Sequence, residues 1–218
     1  VATLVELKRR ALRLIGEPEA SDLIPVGGAR VGADLLLEAI CAGLDAILPW
    51  VSQSKVATLT GDGERVEFDL PTDLYRIESV YDAKSKEFIP MARMIPRQPW
   101  ADVTVDMGYL EYPDQHITFS RALSTDGGTI YYSALWTKPT ADDSPISAPL
   151  IAHTGIVLFA TAYCLLSLAT QVATIRPYNT RTDSGTPEDN PIKDMADYYQ
   201  KWFETEMNRH PAKMRGQQ

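Results

Sequence analysis

Three histidines, two cysteines and a surplus of carboxylates are the residues through which this 218-residue chain could do chemistry. His116, His153 and His210 fall on a strand pattern, an apolar helix pattern and a tail, and no two share a metal-ligand spacing. His153 reads as a hydrogen-bonded core histidine. Neither Cys41 nor Cys164 has a cysteine or histidine at zinc-site spacing. Both lie in apolar helical stretches and read as buried, reduced thiols, which fits a cytoplasmic origin. Asp142-Asp143 and Glu188-Asp189 are acidic pairs in loops, whereas a glycosidase needs two carboxylates in one cleft. Gly61-Asp62-Gly63 has the start of a calcium loop without its regular ligand series, and reads instead as a hairpin turn. The G-x-S-x-G elbow, the phosphate loop and G-x-G-x-x-G are all missing from the sequence. The expectation is a chain with no catalytic, metal-ligating or cofactor-binding residues, and not an enzyme.

The elements that would position such residues follow from composition and periodicity. Hydrophobic content is 44%, charged content 23% and net charge −8. This length allows one domain or two small ones with a real core. The negative charge disfavours a general basic DNA-binding surface. The N-terminus lacks a signal peptide's order of basic patch, apolar run and small-residue cleavage site.

Residues 3–16 read as a helix, capped by Thr3 and stopped at Gly16. Leu4, Leu7, Ala11 and Leu14 form its apolar stripe, and Lys8, Arg9, Arg10 and Arg13 take the other face. A second helix covers 30–48 and ends near Pro49. The middle is β: two strands around Gly61-Asp62-Gly63, a hairpin turning at 83–86, and further strands in 108–121 and 128–136. Tyr132 and Trp136 share one strand face, as core or subunit contact. The stretch 148–175 carries no formal charge, yet His153, Thr154, Thr161, Ser167, Thr170 and Gln171 make it only moderately apolar. A helix buried on most sides is the reading, with a membrane span as the alternative. Burial all round in so small a domain points to help from neighbouring subunits, with Leu158, Leu165 and Leu168 as packing positions. Asn190-Pro191 opens a last helix over 191–208.

The fold class is therefore α+β: a helical bundle of three to four helices from 1–52 and 145–208, one of them long and apolar. A small β-sandwich or barrel-like domain at 53–140 is inserted, and 209–218 is an extended tail. Within the β region, Leu70, Pro71, Asp73 and Arg76 form a corner. Pro71 removes a backbone donor and ends pairing at Leu70, while Asp73 stabilises the turn and is the expected partner of Arg76.

The order of these pieces resembles the head-to-tail connector, or adaptor, proteins of tailed double-stranded DNA bacteriophages. These share an N-terminal helix pair, a strand-corner-strand of the form L-P-x-D-(F/L)-x-R-(L/I)-x-S-V, a β-rich middle, and a long alanine-rich apolar helix. Here the corner runs from Gly63 to Val80 through Phe68, Leu70, Pro71, Asp73, Leu74, Arg76 and Ile77. The later strand is Gly128 to Pro139, where Ser133-Ala134 and Trp136 depart from the pattern. The likeness spans most of 1–176 and does not cover the region after 180.

The resemblance implies a virion protein of the head-tail neck, assembled in the host cytoplasm as a homo-oligomeric ring, commonly of twelve copies. It implies docking on the portal protein, contacts with tail or neck proteins, and a channel through which DNA passes without specific binding or membrane involvement. An acidic wall suits that passage, because it repels phosphate. The family's C-terminal docking implies that Trp202, Phe203, Met207, Arg209, Lys213, Met214 and Arg215 meet the portal. Another neck or tail completion protein (a stopper or tail terminator), a membrane-anchored protein, and an enzyme with a dispersed acidic site are the competing readings.

Overall fold

Thr3 stands in extended conformation, and its N–H donates to Glu6 Oε2 at 3.2 Å, so the first turn of helix α1 (Leu4–Ile15) is closed from outside. Gly16 stops it in the left-handed region, at φ 86°. Helix α2 (Ala33–Ala46) gives out two residues before the Leu48-Pro49 step. A 3-10 turn at Leu150–Ala152 leads into helix α3 (His153–Ile175), and helix α4 (Pro191–Asn208) follows. These elements come from a computed structural model that describes residues 2–16, 32–90, 109–112, 116–120, 122–175 and 191–209.

Helix α3 packs against α1, α2 and α4. Its buried residues include Ile156, Val157, Leu158, Ala160, Ala162, Cys164, Leu165, Leu168 and Ala169, which cover about two-thirds of its circumference and leave Phe159, Tyr163, Leu166 and Thr170 on the remaining side. Gly155 makes room for α4: a Cβ there would stand 2.4 Å from Met207 Cε. Phe203 sits edge-on to both Trp50 and Phe159, with centroids 5.9 and 5.4 Å away.

Seven strands are described. β1 (Gln53–Leu59), β7 (Gly128–Ala134), β3 (Leu74–Asp82) and β4 (Glu87–Ile89) form one antiparallel sheet in that order. β2 (Glu67–Asp69), β6 (His116–Phe119) and β5 (Tyr109–Tyr112) form a second. Phe68, Ile117 and Phe119 of the second sheet join Leu59, Ile77, Val80, Ile89 and Ile130 of the first in one apolar cluster. Both strand orders are open, so the sheets do not close into a barrel among the described residues.

One expected hairpin is absent. Asp62 Oδ1 does accept the N–H groups of Glu64 and Arg65, a local turn of the kind the sequence signals. The strands on either side do not pair, however: β1 lies against β7, and the chain beyond Gly63 crosses to β6, with Phe119 N–H donating to Val66 O at 2.8 Å. The hairpin at 83–86 forms as expected, and β5 pairs antiparallel with β6.

The chain divides into two compact units, Val1–Val51 with Trp136–Gln218, and Ser52–Leu135. The helical unit takes the chain back at Trp136, well before 145. The linker accounts for this, because Trp136 Nε1 donates to Val51 O, Lys138 pairs with Asp45 at 2.8 Å, and Leu4 N–H donates to Ser144 O.

Candidate functional site

The corner begins where β2 delivers Leu70 into the apolar cluster of the β unit. Pro71 then ends the strand, and Leu74 N–H donates back to Pro71 O at 3.0 Å, closing the turn. Asp73 is the hub. Its carboxylate accepts from Lys55 Nζ at 2.6 Å and from the Tyr132 hydroxyl at 3.1 Å, while its carbonyl accepts from Leu135 N–H at 2.7 Å. The hydrogen bond from Lys55 holds Asp73 below the usual carboxylate range, and it raises Lys55 in turn. Burial first, and the Asp73 bond second, push the Tyr132 phenol up.

Arg76 is therefore not the partner of Asp73. It lies across from Ser133 on the opposite face of the sheet and is exposed. The irregular register between Leu74 and Arg76 is the physical reason. Lys55 takes the role instead. One signal for it was present in the sequence: Lys55 shares strand parity with Ala57 and Leu59, and a cation at a core-facing position needs a carboxylate.

On the same sheet, Ser133 donates to Glu78 Oε1 at 2.6 Å, and the Ser52 hydroxyl lies 3.0 Å from Ser133 Oγ. Ser133 has a single proton, so Ser52 is the donor to it. The chain Ser52–Ser133–Glu78 is a polar tie across the strands, with Ser133 itself fully buried.

The remaining chemistry-bearing residues stay apart. No group of three His, Cys, Asp or Glu side chains is gathered for a metal among the described residues. His153 Nε2 lies 3.0 Å from Ala148 O in the helical core. His116 borders an open groove of about 450 Å³ lined also by Glu64, Arg65, Glu67, Phe68 and Asp69. There Arg65 lies over the Phe68 ring at 4.9 Å. Neither cysteine is in a disulfide; Cys164 is buried, but Cys41 is only half-buried, with burial raising its thiol. Tyr132 and Trp136 do not share a strand face, since β7 ends at Ala134 and Trp136 belongs to the helical unit. His210, Glu188 and Asp189 lie outside the described residues.

The expected assembly residues divide the same way. Leu158, Leu165 and Leu168 are 1%, 3% and 1% exposed within the single chain. They are core, buried by α1, α2 and α4, and offer nothing to a neighbour. Leu166 is the α3 leucine that stands out, at 47%. Of the residues expected to meet a portal, Phe203 and Met207 are buried against α3 and its neighbours, which removes them from any docking surface. Their helix is two-faced, and Phe203 and Met207 lie on its core face with Ala196. Trp202 lies 39% exposed beside Tyr198, on the side that also shows Met195. Arg209 pairs with Glu206 at 2.9 Å. Lys213, Met214 and Arg215 lie outside the described residues.

The span Leu150–Thr170 is long and apolar enough to cross a membrane, with mean hydropathy 1.8, and 61% of it is buried inside the protein. No protein-family model matches the chain, and no curated protein matches it either.

Proposed function

We propose that the chain is a structural virion protein of the head-to-tail connector kind, forming a ring on the portal through which DNA passes. The observation that carries the reading is the Leu70–Asp73 corner. Its apolar end is sunk in the β core and its polar end is tied to Lys55 and Tyr132. A turn built this way serves shape, and it stands in the order of elements that connectors have. The β unit is inserted in a helical unit made from both ends of the chain, which supports the same reading. We read the two sheets as a small sandwich over their common apolar cluster. The net charge of −8 suits a wall along which phosphate slides. The burial of most of the apolar span by the chain itself favours this over a membrane anchor. A stopper or tail terminator remains the second reading, on the same inserted β unit.

Sedimentation of the purified chain with and without portal protein tests the proposal. Co-sedimentation and a ring visible by electron microscopy are expected. Duplex DNA should bind more weakly than about micromolar at physiological salt, since the net charge opposes counterion release. A monomer that ignores the portal, or tight DNA binding with a steep salt slope, would overturn it.

A further inference from the structure

Helices α1 and α2 carry opposite charge on their outward faces. α1 holds Arg9, Arg10 and Arg13 there, while Lys8 is largely buried and paired with Asp142, and α2 holds Asp34, Glu38 and Asp45. At about 100° per residue, Asp34, Glu38 and Asp45 fall within an arc of roughly 40° on the side opposite Leu36, Ile40, Gly43 and Ile47. Arg9, Arg10 and Arg13 likewise face away from Leu4, Leu7 and Ala11, and all six charged residues are exposed. Among the described residues, no ion pair engages Arg9, Arg10 or Asp34. The acidic face is held in place by its own chain: Glu38 accepts from the Tyr163 hydroxyl at 2.7 Å, and Asp45 from Lys138 at 2.8 Å.

We infer that the basic face of α1 docks on the acidic face of α2 of a second copy of this chain. A second copy is the occupant because it is certain to carry the complement of each face. Repeated head to tail, such a contact is heterologous, and it forms a ring where the rotation between copies closes. The closure, though not the contact, rests on the connector reading. The contact weakens as salt rises, because exposed charges are screened.

Two charge-reversed forms of the full chain test it: Arg9→Glu with Arg10→Glu, and Asp34→Lys with Glu38→Lys. All four positions are exposed, and circular dichroism verifies that each form is folded. Each alone sets like charge against like, and its self-association, read by sedimentation velocity, should fall on the order of 100-fold. An equimolar mixture should regain wild-type assembly, since each form then carries the complement of the other. A mixture that stays unassembled, or single forms that assemble like wild type, overturns the contact. So does a wild-type chain that remains monomeric while its α1 arginines bind duplex DNA or an acidic protein. Assembly of the mixture without portal binding upholds the contact and removes the connector reading. Wild-type rings on the portal that ignore both reversals do the opposite.

Discussion

Leu158→Ala and Leu166→Ala set two leucines of α3 against each other. Leu158 is 1% exposed and enclosed by its own chain, whereas Leu166 is 47% exposed. Truncating an enclosed leucine removes its transfer free energy and leaves a cavity, at a cost of about 3 to 4 kcal/mol. Truncating a half-exposed one forfeits about half the transfer term and seals no cavity, so about 1 kcal/mol is expected. Against a typical stability of about 5 to 15 kcal/mol, the first is a large fraction. Leu158→Asp adds an unpaired buried carboxylate and should give no soluble protein. Urea unfolding at low protein concentration, followed by tryptophan fluorescence, measures both. Trp50 stacks edge-on against Phe203 and so reports on the helical unit. Equal costs for the two alanine variants, or a larger cost at Leu166, would refute the reasoning. α3 would then owe its burial to a neighbouring chain or a membrane.

Asp73→Ala should cost about 1 to 2 kcal/mol by stranding the nearly buried Tyr132 hydroxyl, while Arg76→Ala stays within about 0.5 kcal/mol; urea midpoints compare them. Gly61→Ala should destabilise by about 2 kcal/mol or more, because its Cβ would meet Ser124 O at 1.8 Å, and thermal melting against a Gly32→Ala control reads the difference. Acid should weaken the β unit through three carboxylates. Backbone N–H bonds lower Asp62, and the Lys55 bond lowers Asp73; at Asp82 burial acts upward but is outweighed by Ser85 and Lys84. Folded-state values below the unfolded ones mean stability that is complete above about pH 4 and lost as pH falls further. An acid titration by circular dichroism checks this, and Asp82→Asn should flatten it.

The helices were legible because their signals are local. Thr3, Gly16, Pro49 and Pro191 mark ends that lie within a residue or two of the observed ones. What depends on distant pairing was not. Gly61-Asp62-Gly63 announces a turn and says nothing of which strands flank it, and β1 found its partner in β7, some seventy residues on. Arg76 lay three residues from Asp73 and looked like its partner, but a shift in register turned it away and Lys55 took the place. In α4 the helical spacing of apolar residues marked the helix. It could not tell that Phe203 and Met207 face α3 while Met195, Tyr198 and Trp202 remain in solvent.

A helical unit drawn from both ends of the chain sets an order of synthesis. α1 and α2 leave the ribosome well before the helix they pack on, which begins at His153. Until then Leu4, Leu7, Ile40 and Leu44 have no surface to cover them. Ser52–Leu135 can meanwhile complete its own core and draw its two ends into fixed positions, shortening the loop that α1 must close to reach α3. A nascent chain long enough for β7 to clear the ribosome, with α3 not yet emerged, would therefore carry a finished β unit and two sticky helices, the form most exposed to aggregation and to chaperone capture.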